Sequence, residues 1–139
     1  MSKNAAHRFY VVMPVGSDPN HQWKVQIIEG VAKSINFEPH FPLAALTGRG
    51  PSTKDTMDAM AASDFVLADL SLERPSCYYE LGLAQALGKR SVLVAEKGTT
   101  VHQTGDDSDL RYYASRDEYE RVVVELLTKA ALAVSATKG

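Results

Sequence analysis

The segment from Phe65 to Lys89 constrains the fold more than any other part of the chain. Phe65–Leu70 is apolar except for Asp69 near its end, a pattern typical of a parallel strand that is covered on both faces. After a short loop, a second apolar stretch runs to Gly88, and glycine readily adopts the left-handed conformation that ends many helices. The segment therefore predicts a buried strand, a loop and a buried helix, with Ser76 as a candidate cap for the helix.

Strand and helix patterns alternate along the remaining sequence. Strands are expected at Arg8–Pro14, Phe37–Pro42, Ser91–Ala95 and Leu110–Ala114, and helices from His21, from a cap at Ser52 or Thr53, and from Asp117. Leu43–Pro51 and Lys97–Asp109 lack periodicity and are expected to be loops. The alternation predicts one three-layer, doubly wound α/β domain over residues 1–139, with a five-stranded parallel sheet in the flavodoxin-like order 2-1-3-4-5.

Composition excludes several classes of partner. The formal net charge of -2, without a run of like charges, gives no general attraction for nucleic acid or for an anionic membrane. A single cysteine, Cys77, allows no internal disulfide, and the four histidines are spaced unlike metal ligands, so no metal site is expected. No signal peptide and no apolar run long enough to cross a membrane are found in the sequence, which favours a cytoplasmic protein.

The predicted strand order places a ligand crevice between the first and third strands. In an open α/β sheet, ligands bind beyond the carboxyl ends of the strands, at the point where the strand order reverses. Met13–Asp18 and Asp69–Glu80 are therefore expected to flank one crevice. The candidate contacts in the first segment are Pro14, Val15, Gly16 and Ser17, since Gly16 would let a ligand approach the backbone.

Glu80 is the carboxylate that stands out beside this crevice, because its neighbours on the predicted helix are nearly all apolar or small. We expect it in the first turn of that helix, where the helix dipole and the free N–H groups would keep it ionised. It is either a catalytic carboxylate or a capping partner of the helix.

The other polar residues of this segment also allow two interpretations. Asp69 either orients a ligand or a partner of Glu80, or binds loop amides in an Asx turn. Ser71 and Ser76 either receive a phosphate at the start of the helix or serve as turn and cap residues. Tyr78 and Tyr79 either stack on a ligand or pack in the core, and at least one of them is expected in the core.

Four segments resemble parts of a known superfamily. They are FYVVMPVG at Phe9–Gly16, ASDFVLADLS at Ala62–Ser71, YELGLAQALGK at Tyr79–Lys89 and SDLR at Ser108–Arg111. Together they resemble the nucleoside 2-deoxyribosyltransferase-like superfamily, particularly its bacterial TIR-like branch. The resemblance extends from about Arg8 to the final helix, and Tyr79–Lys89 is its most specific part.

The resemblance implies cleavage of an N-glycosidic bond. In the transferases, the glutamate that matches Glu80 attacks the anomeric carbon, and another base or water then resolves the glycosyl-enzyme intermediate. The TIR-like members use the corresponding glutamate to cut the nicotinamide bond of NAD, and neighbouring subunits often complete the pocket. Glu80 and Asp69 are thus the expected catalytic residues, with a small nucleotide or NAD as partner, no cofactor, and a homo-oligomer as the expected assembly.

One departure from the superfamily pattern bears on the substrate. The transferases carry an aspartate six residues before the glutamate, where this chain has Arg74, with Glu73 beside it. Arginine presents a planar fork of donors to phosphate oxygens, so the change favours a nucleotide over a free nucleoside. The expected substrate contacts here are Ser71, Arg74, Ser76 and Tyr79.

Three functions remain open from the sequence. The first is an N-glycosidase that cleaves the base–sugar bond of a nucleotide. The second is a TIR-like, NAD-cleaving enzyme of bacterial defence. The third is a nucleotide-sensing module that binds without cleaving, which Arg74 in place of the aspartate favours.

Overall fold

A five-stranded parallel sheet forms the centre of the computed structural model, which describes residues 7–41, 53–102 and 109–138. The strands are β1 (His7–Val12), β2 (Phe37–His40), β3 (Phe65–Asp69), β4 (Ser91–Glu96) and β5 (Leu110–Tyr113). Their order is β2-β1-β3-β4-β5, and every neighbouring pair is parallel. The predicted fold class and strand order are confirmed.

In the residues that the structure describes, four helices cover the two faces of the sheet. They are α1 (His21–Ser34), α2 (Thr53–Ala61), α3 (Pro75–Ala86) and α4 (Arg116–Lys138). Alternate side chains of β1 point to opposite faces: Phe9 and Val11 join a core that includes residues of α1 and α4, whereas Tyr10 and Val12 join one that includes residues of α2 and α3. Burial of each large apolar side chain contributes about 1.5–3 kcal/mol, so both cores hold the layers together.

Strand β3 is buried at all five positions, as its apolar sequence predicts for a central parallel strand. It pairs with β1 on one side, where Val12 lies opposite Ala68, and with β4 on the other, where Asp69 lies opposite Val94. The carboxyl end of β3 therefore lies between those of two other strands. Residues that follow it are held at the centre of the sheet edge.

Helix α3 begins at Pro75, so the prediction that Ser76 caps it is wrong. Arg74 is the N-cap residue and makes no side-chain capping bond, while proline suits the first helical position because its fixed φ matches a helix. At the other end, Gly88 has a φ of +74°, the N–H of Gly88 donates to the carbonyl of Gln85, and that of Lys89 donates to the carbonyl of Ala84. This is the left-handed helix end expected at Gly88.

Some predictions fall on residues that the structure does not describe. They include the loop over Leu43–Pro51, the proposed cap at Ser52 and residues 103–108 of the loop over Lys97–Asp109. Among the helices of the described residues, none has the length and apolar composition that a membrane span requires.

Candidate active site

The two segments predicted to flank a crevice follow neighbouring strands. β1 pairs with β3, so the loop that begins at Met13 and the turn that begins at Leu70 leave the same edge of the sheet side by side. This edge is the switch point of the sheet, because β2 lies on one side of β1 and β3 on the other.

Glu80 lies in the second turn of α3, not in the first as predicted from the sequence. The helix starts at Pro75, and its first turn carries no acidic residue. The side chain of Glu80 is half-buried, and burial raises its pKa from 4.5 to about 7. The expectation that the helix dipole keeps Glu80 ionised is therefore wrong, since the dipole acts mainly within the first turn and burial here favours the neutral form.

The neighbours of Glu80 come from a strand and two helices. Burial and then the charge of Glu80 raise the pKa of Tyr10, on β1, while a hydrogen bond with the side chain of Thr56, on α2, acts in the opposite direction. Burial and then the charge of Glu80 also raise the pKa of Cys77 to about 12. Glu80 thus lies near the junction of β1, α2 and α3, among groups that are neutral at pH 7.

His40 extends this group towards the edge of the sheet. Its ring stacks on that of Tyr10 with the centroids 5.2 Å apart, across the β1–β2 pair. Burial, followed by the charge of Arg8, lowers the pKa of His40, so its imidazole is also neutral at pH 7. In the part of the chain that the structure describes, no lysine, arginine or histidine forms an ion pair with Glu80.

Asp69 is enclosed by hydrogen bonds from the protein itself. Its Oδ1 accepts from the backbone N–H of Ser71 at 2.9 Å, which is the Asx-turn alternative foreseen from the sequence. Its Oδ2 accepts from Lys24 Nζ at 3.0 Å and from the Tyr113 hydroxyl at 3.1 Å. With the residue 2% exposed, both carboxylate oxygens are used within the fold.

Lys24 joins Asp69 to the loop after β1. Its Nζ donates to Asp18 Oδ2 at 2.6 Å, to Asp69 Oδ2 at 3.0 Å and to the Tyr113 hydroxyl at 2.5 Å, which satisfies all three ammonium protons. Burial opposes the charge of Lys24, but Asp69, Asp18 and Tyr113 outweigh it and raise its pKa, so the ammonium stays charged. We call Lys24, Asp18, Asp69, Tyr113 and Ser71 the Lys24 network.

Ser71 completes the Lys24 network and is only 1% exposed. Its Oγ accepts from the backbone N–H of Glu96 at 2.7 Å and lies 2.8 Å from the Tyr113 hydroxyl. The sequence offered a phosphate contact or a turn role for this serine. In the structure its backbone N–H takes part in the Asx turn, and its hydroxyl binds Tyr113 and the backbone of Glu96. Asp69 and Ser71 are therefore buried beneath the edge of the sheet at which the crevice is predicted.

The turn Ser71–Glu73 has an unusual backbone. Leu72 has a φ of 68° and Glu73 a φ of 45°, both in the left-handed region that residues other than glycine rarely adopt. Such positions cost about 1–3 kcal/mol each and persist only where the surroundings hold them. Glu73 Oε1 also lies 2.9 Å from His102 Nε2 on the solvent side.

The other predicted contacts are mostly open to solvent. Gly16 and Ser17 are exposed, Val15 is partly exposed, and Pro14 is buried with its carbonyl oxygen 3.3 Å from His21 Nδ1. Arg74, Ser76 and Tyr79 are exposed around the start of α3. The Tyr79 hydroxyl lies 2.9 Å from Thr53 Oγ1 on α2, whereas Tyr78 is partly buried and its hydroxyl accepts from the His102 N–H.

Sequence reasoning missed Lys24, Tyr113, Tyr10 and His40. A signal for Lys24 was present, because it precedes Ile27, Ile28 and Val31 by three, four and seven residues and so shares the buried face of α1. Over residues 7–41, 53–102 and 109–138, no group of three His, Cys, Asp or Glu side chains is arranged to hold a metal ion. A groove of about 490 Å³ between α1 and α4 contains none of the predicted site residues.

Two enzymes of known structure are similar to this chain. A CMP N-glycosidase from Clostridium botulinum is 17% identical, with a TM-score of 0.58 over 82% of this chain and 96% of that one. A 2-deoxyribosyltransferase from Bacillus psychrosaccharolyticus is 15% identical, with a TM-score of 0.60 over 81% and 90% of the two chains. The chain shares the fold of both enzymes.

The same fold also occurs in proteins with other descriptions. A protein from Burkholderia pseudomallei that is described as pilus assembly-related is 12% identical, with a TM-score of 0.55 over 91% and 90% of the two chains. No protein-family model matches this chain, and no curated protein matches it by sequence. A shared fold does not by itself determine function, which depends on the residues of the site.

Proposed function

We propose that this protein is an N-glycosidase that cleaves the base–sugar bond of a nucleotide, with Glu80 as the carboxylate at the anomeric carbon. One observation carries the proposal: Glu80 is a half-buried carboxylate near the junction of β1, α2 and α3, with a pKa raised by burial and no ion-pair partner in the described part of the chain. A structural glutamate at this depth would ordinarily have a partner, because an unpaired buried charge is costly.

The chemistry of glycoside cleavage suits such a group. The sugar becomes positively charged at C1′ as its bond to the base breaks, so a carboxylate without a cationic partner interacts more strongly with the transition state than with the substrate. Ionised Glu80 would attack C1′, the electron pair of the C1′–N bond would leave with the base, and water would then hydrolyse the glycosyl ester. The similarity in fold to a CMP N-glycosidase and a 2-deoxyribosyltransferase supports this reaction class.

A phosphorylated substrate is supported by the start of α3. Arg74 is exposed there, six residues before Glu80, and Ser76 and Tyr79 are exposed beside it. An arginine fork binds phosphate oxygens in pairs, and free N–H groups at a helix start favour an anion. In this proposal Arg74 and Ser76 bind the phosphate, whereas Asp69 and Ser71 support the turn beneath.

A second candidate, cleavage of NAD, is favoured by the pKa values around Glu80. Tyr10 and Cys77 both have raised pKa values, so neither readily gives a proton to a departing base at neutral pH. A neutral base needs such a proton, and because the attacking Glu80 is ionised, water or a residue outside the described ranges would have to supply it. Nicotinamide leaves NAD from an already cationic ring and needs none.

The test is base release from a panel of substrates. The protein is incubated with the common ribonucleoside and deoxyribonucleoside 5′-monophosphates, the matching nucleosides and NAD, and free base is measured by chromatography. We expect release from at least one nucleoside monophosphate and its loss in Glu80→Gln, which keeps the shape of the side chain. Glu29→Gln, the same change at an exposed position of α1, is the matched control and should retain activity.

Other results of this assay would favour an alternative function or reject the role of Glu80. Release of nicotinamide alone would favour the NAD-cleaving alternative, and calorimetric binding of a nucleotide without product over hours would favour the sensing module. Base release that is equal in Glu80→Gln and in the wild type would reject Glu80 as the catalytic carboxylate. Repeating the assay over a range of protein concentrations, with sedimentation analysis, tests the expected homo-oligomer.

A further inference from the structure

The Lys24 network connects four of the elements that meet at this edge of the sheet. Lys24 belongs to α1, Asp18 to the loop after β1, Asp69 to the end of β3 and Tyr113 to the end of β5. Through Ser71 Oγ, the network also binds the backbone N–H of Glu96 at the end of β4. A cluster that joins so many segments at one edge fixes their relative positions.

The hydrogen bonds of this network have one consistent direction. Asp69 accepts the single proton of the Tyr113 hydroxyl, because a carboxylate cannot donate, and so the Ser71 hydroxyl donates to Tyr113. Ser71 Oγ in turn accepts from the N–H of Glu96. Removal of the Tyr113 or the Ser71 hydroxyl therefore interrupts the hydrogen bonds that join the ends of the strands to the turn.

The backbone conformation of the turn Ser71–Glu73 is unfavourable and depends on contacts with its surroundings. Leu72 and Glu73 both have left-handed backbone conformations, and the turn leads directly to Arg74 and Pro75, where α3 begins. The network holds its buried end at Ser71, where the N–H binds Asp69 and the hydroxyl binds both Tyr113 and Glu96. The contact between Glu73 and His102, on the exposed side, is open to water and holds the turn less firmly.

We propose that the Lys24 network positions Glu80, because it holds the strained turn Ser71–Glu73 from which α3 begins. The inference rests on the proposed function and adds positioning residues to it: Tyr113, Ser71 and Lys24 act through the turn and touch no substrate. A carboxylate that must lie against C1′ is sensitive to small displacements of the helix that carries it. The network therefore determines how often Glu80 has the geometry that cleavage needs.

Tyr113→Phe is the variant that tests this. It removes the hydroxyl and keeps the ring, which packs against Tyr119 with the centroids 4.8 Å apart. We expect kcat to fall at least about tenfold while KM changes less than about threefold, as for a loss of positioning rather than of binding. Tyr112→Phe, the same change at an exposed neighbouring residue, is the matched control and should alter neither value.

A second readout does not depend on catalysis. The pKa of Glu80, followed by carbon NMR of its carboxyl group, should move from about 7 towards 4.5 in Tyr113→Phe, because a displaced side chain is better hydrated. In Tyr112→Phe it should stay at the wild-type value. If the wild type releases no base at all, the proposed function fails, and this titration alone decides the positioning role.

A third variant separates positioning from general stability. In the Tyr113→Phe background, the added change Leu72→Asn should raise kcat at least about threefold, because asparagine adopts the left-handed conformation more readily than leucine. If Tyr113→Phe does not fold, Ser71→Ala takes its place, since it removes a hydroxyl and leaves the charges of the network intact. Equal kcat and equal Glu80 pKa in Tyr113→Phe and Tyr112→Phe, or in Ser71→Ala and the wild type, would overturn the proposal.

Discussion

The ammonium group of Lys24 lies 3.0 Å from the carboxylate of Asp69, with the two side chains 1% and 2% exposed. The residues are 45 positions apart in the sequence and lie on α1 and at the end of β3. Asp18 supplies a second carboxylate to the same ammonium. One buried lysine therefore compensates two buried carboxylates, and the folded state depends on it more than on an ordinary surface ion pair.

Replacement of Lys24 by methionine should destabilise the protein by about 3–5 kcal/mol, because two carboxylates then remain buried without a cation. Urea unfolding at pH 7 measures the change. Lys33→Met, at an exposed position of the same helix, should cost less than about 1 kcal/mol, the value of a cation near a helix end. Equal losses in the two variants would contradict the role given to Lys24.

Tyr119 should respond to loss of its hydroxyl differently from Tyr113. The Tyr119 hydroxyl is buried and has no hydrogen-bond partner among the residues that the structure describes, whereas the Tyr113 hydroxyl has three. Tyr119→Phe should leave stability unchanged or raise it by about 1 kcal/mol, and Tyr113→Phe should lower it by about 1–3 kcal/mol. Thermal unfolding of both variants measures these changes in stability. A larger loss of stability for Tyr119→Phe than for Tyr113→Phe would show that the Tyr119 hydroxyl has a partner.

The fold could be predicted because the pattern that encodes it is local. Phe65–Leu70 is apolar enough to be a central strand, and alternation with amphipathic segments such as the one from His21 leaves few arrangements besides a doubly wound sheet. Strand order then identified the switch point and brought Asp69 and Glu80 to one edge. Both inferences use periodicity, which a single sequence contains.

The interior of the site could not be predicted because it depends on contacts between distant residues. Lysine is usually exposed, so Lys24 was not predicted to be a buried residue of the site, although it lies on the apolar face of α1. Its partner Tyr113 lies 89 positions away, and no local pattern pairs them. The start of α3 was misplaced for a local reason, since Pro75 and Ser76 both suit a helix start and only the backbone distinguishes them.

Glu80 should make stability depend on pH in the direction opposite to most carboxylates. Folding raises its pKa from 4.5 to about 7, so its contribution to stability is fully present below pH 4.5 and is lost as the pH rises through 7. At pH 8, Glu80→Gln should therefore be more stable than the wild type by about 1–3 kcal/mol, with the lower values favoured because the side chain is half-buried. At pH 4 the two should be equal.

Urea unfolding at pH 4, 6 and 8 tests this, with Glu29→Gln as a control that should show no such trend. A gain in stability on removal of a functional carboxylate is the usual trade between stability and activity. If Glu80→Gln is instead less stable than the wild type at pH 8, the side chain has a stabilising partner and the argument for its catalytic role is lost.

The rate of cleavage should increase with pH around neutrality. A carboxylate that attacks C1′ must be ionised, so kcat/KM should rise as the pH passes through about 7 and then level off. The pH profile of base release in the wild type measures this, with Glu29→Gln expected to follow it. A rate that falls over the same interval would indicate that Glu80 acts as the proton donor to the leaving base.

Arg74 should determine how strongly the protein prefers a phosphorylated substrate to the matching nucleoside. It is exposed at the N-cap of α3, and a charged hydrogen bond to phosphate contributes about 1.5–3 kcal/mol, which corresponds to roughly 10- to 100-fold in affinity. Arg74→Ala should raise KM for a nucleoside monophosphate by that factor and leave KM for the matching nucleoside unchanged. Arg74→Lys should recover only part of the loss, because lysine keeps the charge but not the planar fork.

Arg121, an exposed arginine of α4, is the matched control, and Arg121→Ala should change neither KM. An equal loss for nucleotide and nucleoside in Arg74→Ala would mean that Arg74 holds the helix start rather than the phosphate. Arg74→Asp places an aspartate six residues before Glu80, as in the transferases that the sequence resembles. Because a carboxylate repels phosphate and accepts hydrogen bonds from sugar hydroxyls, we expect this variant to prefer the nucleoside.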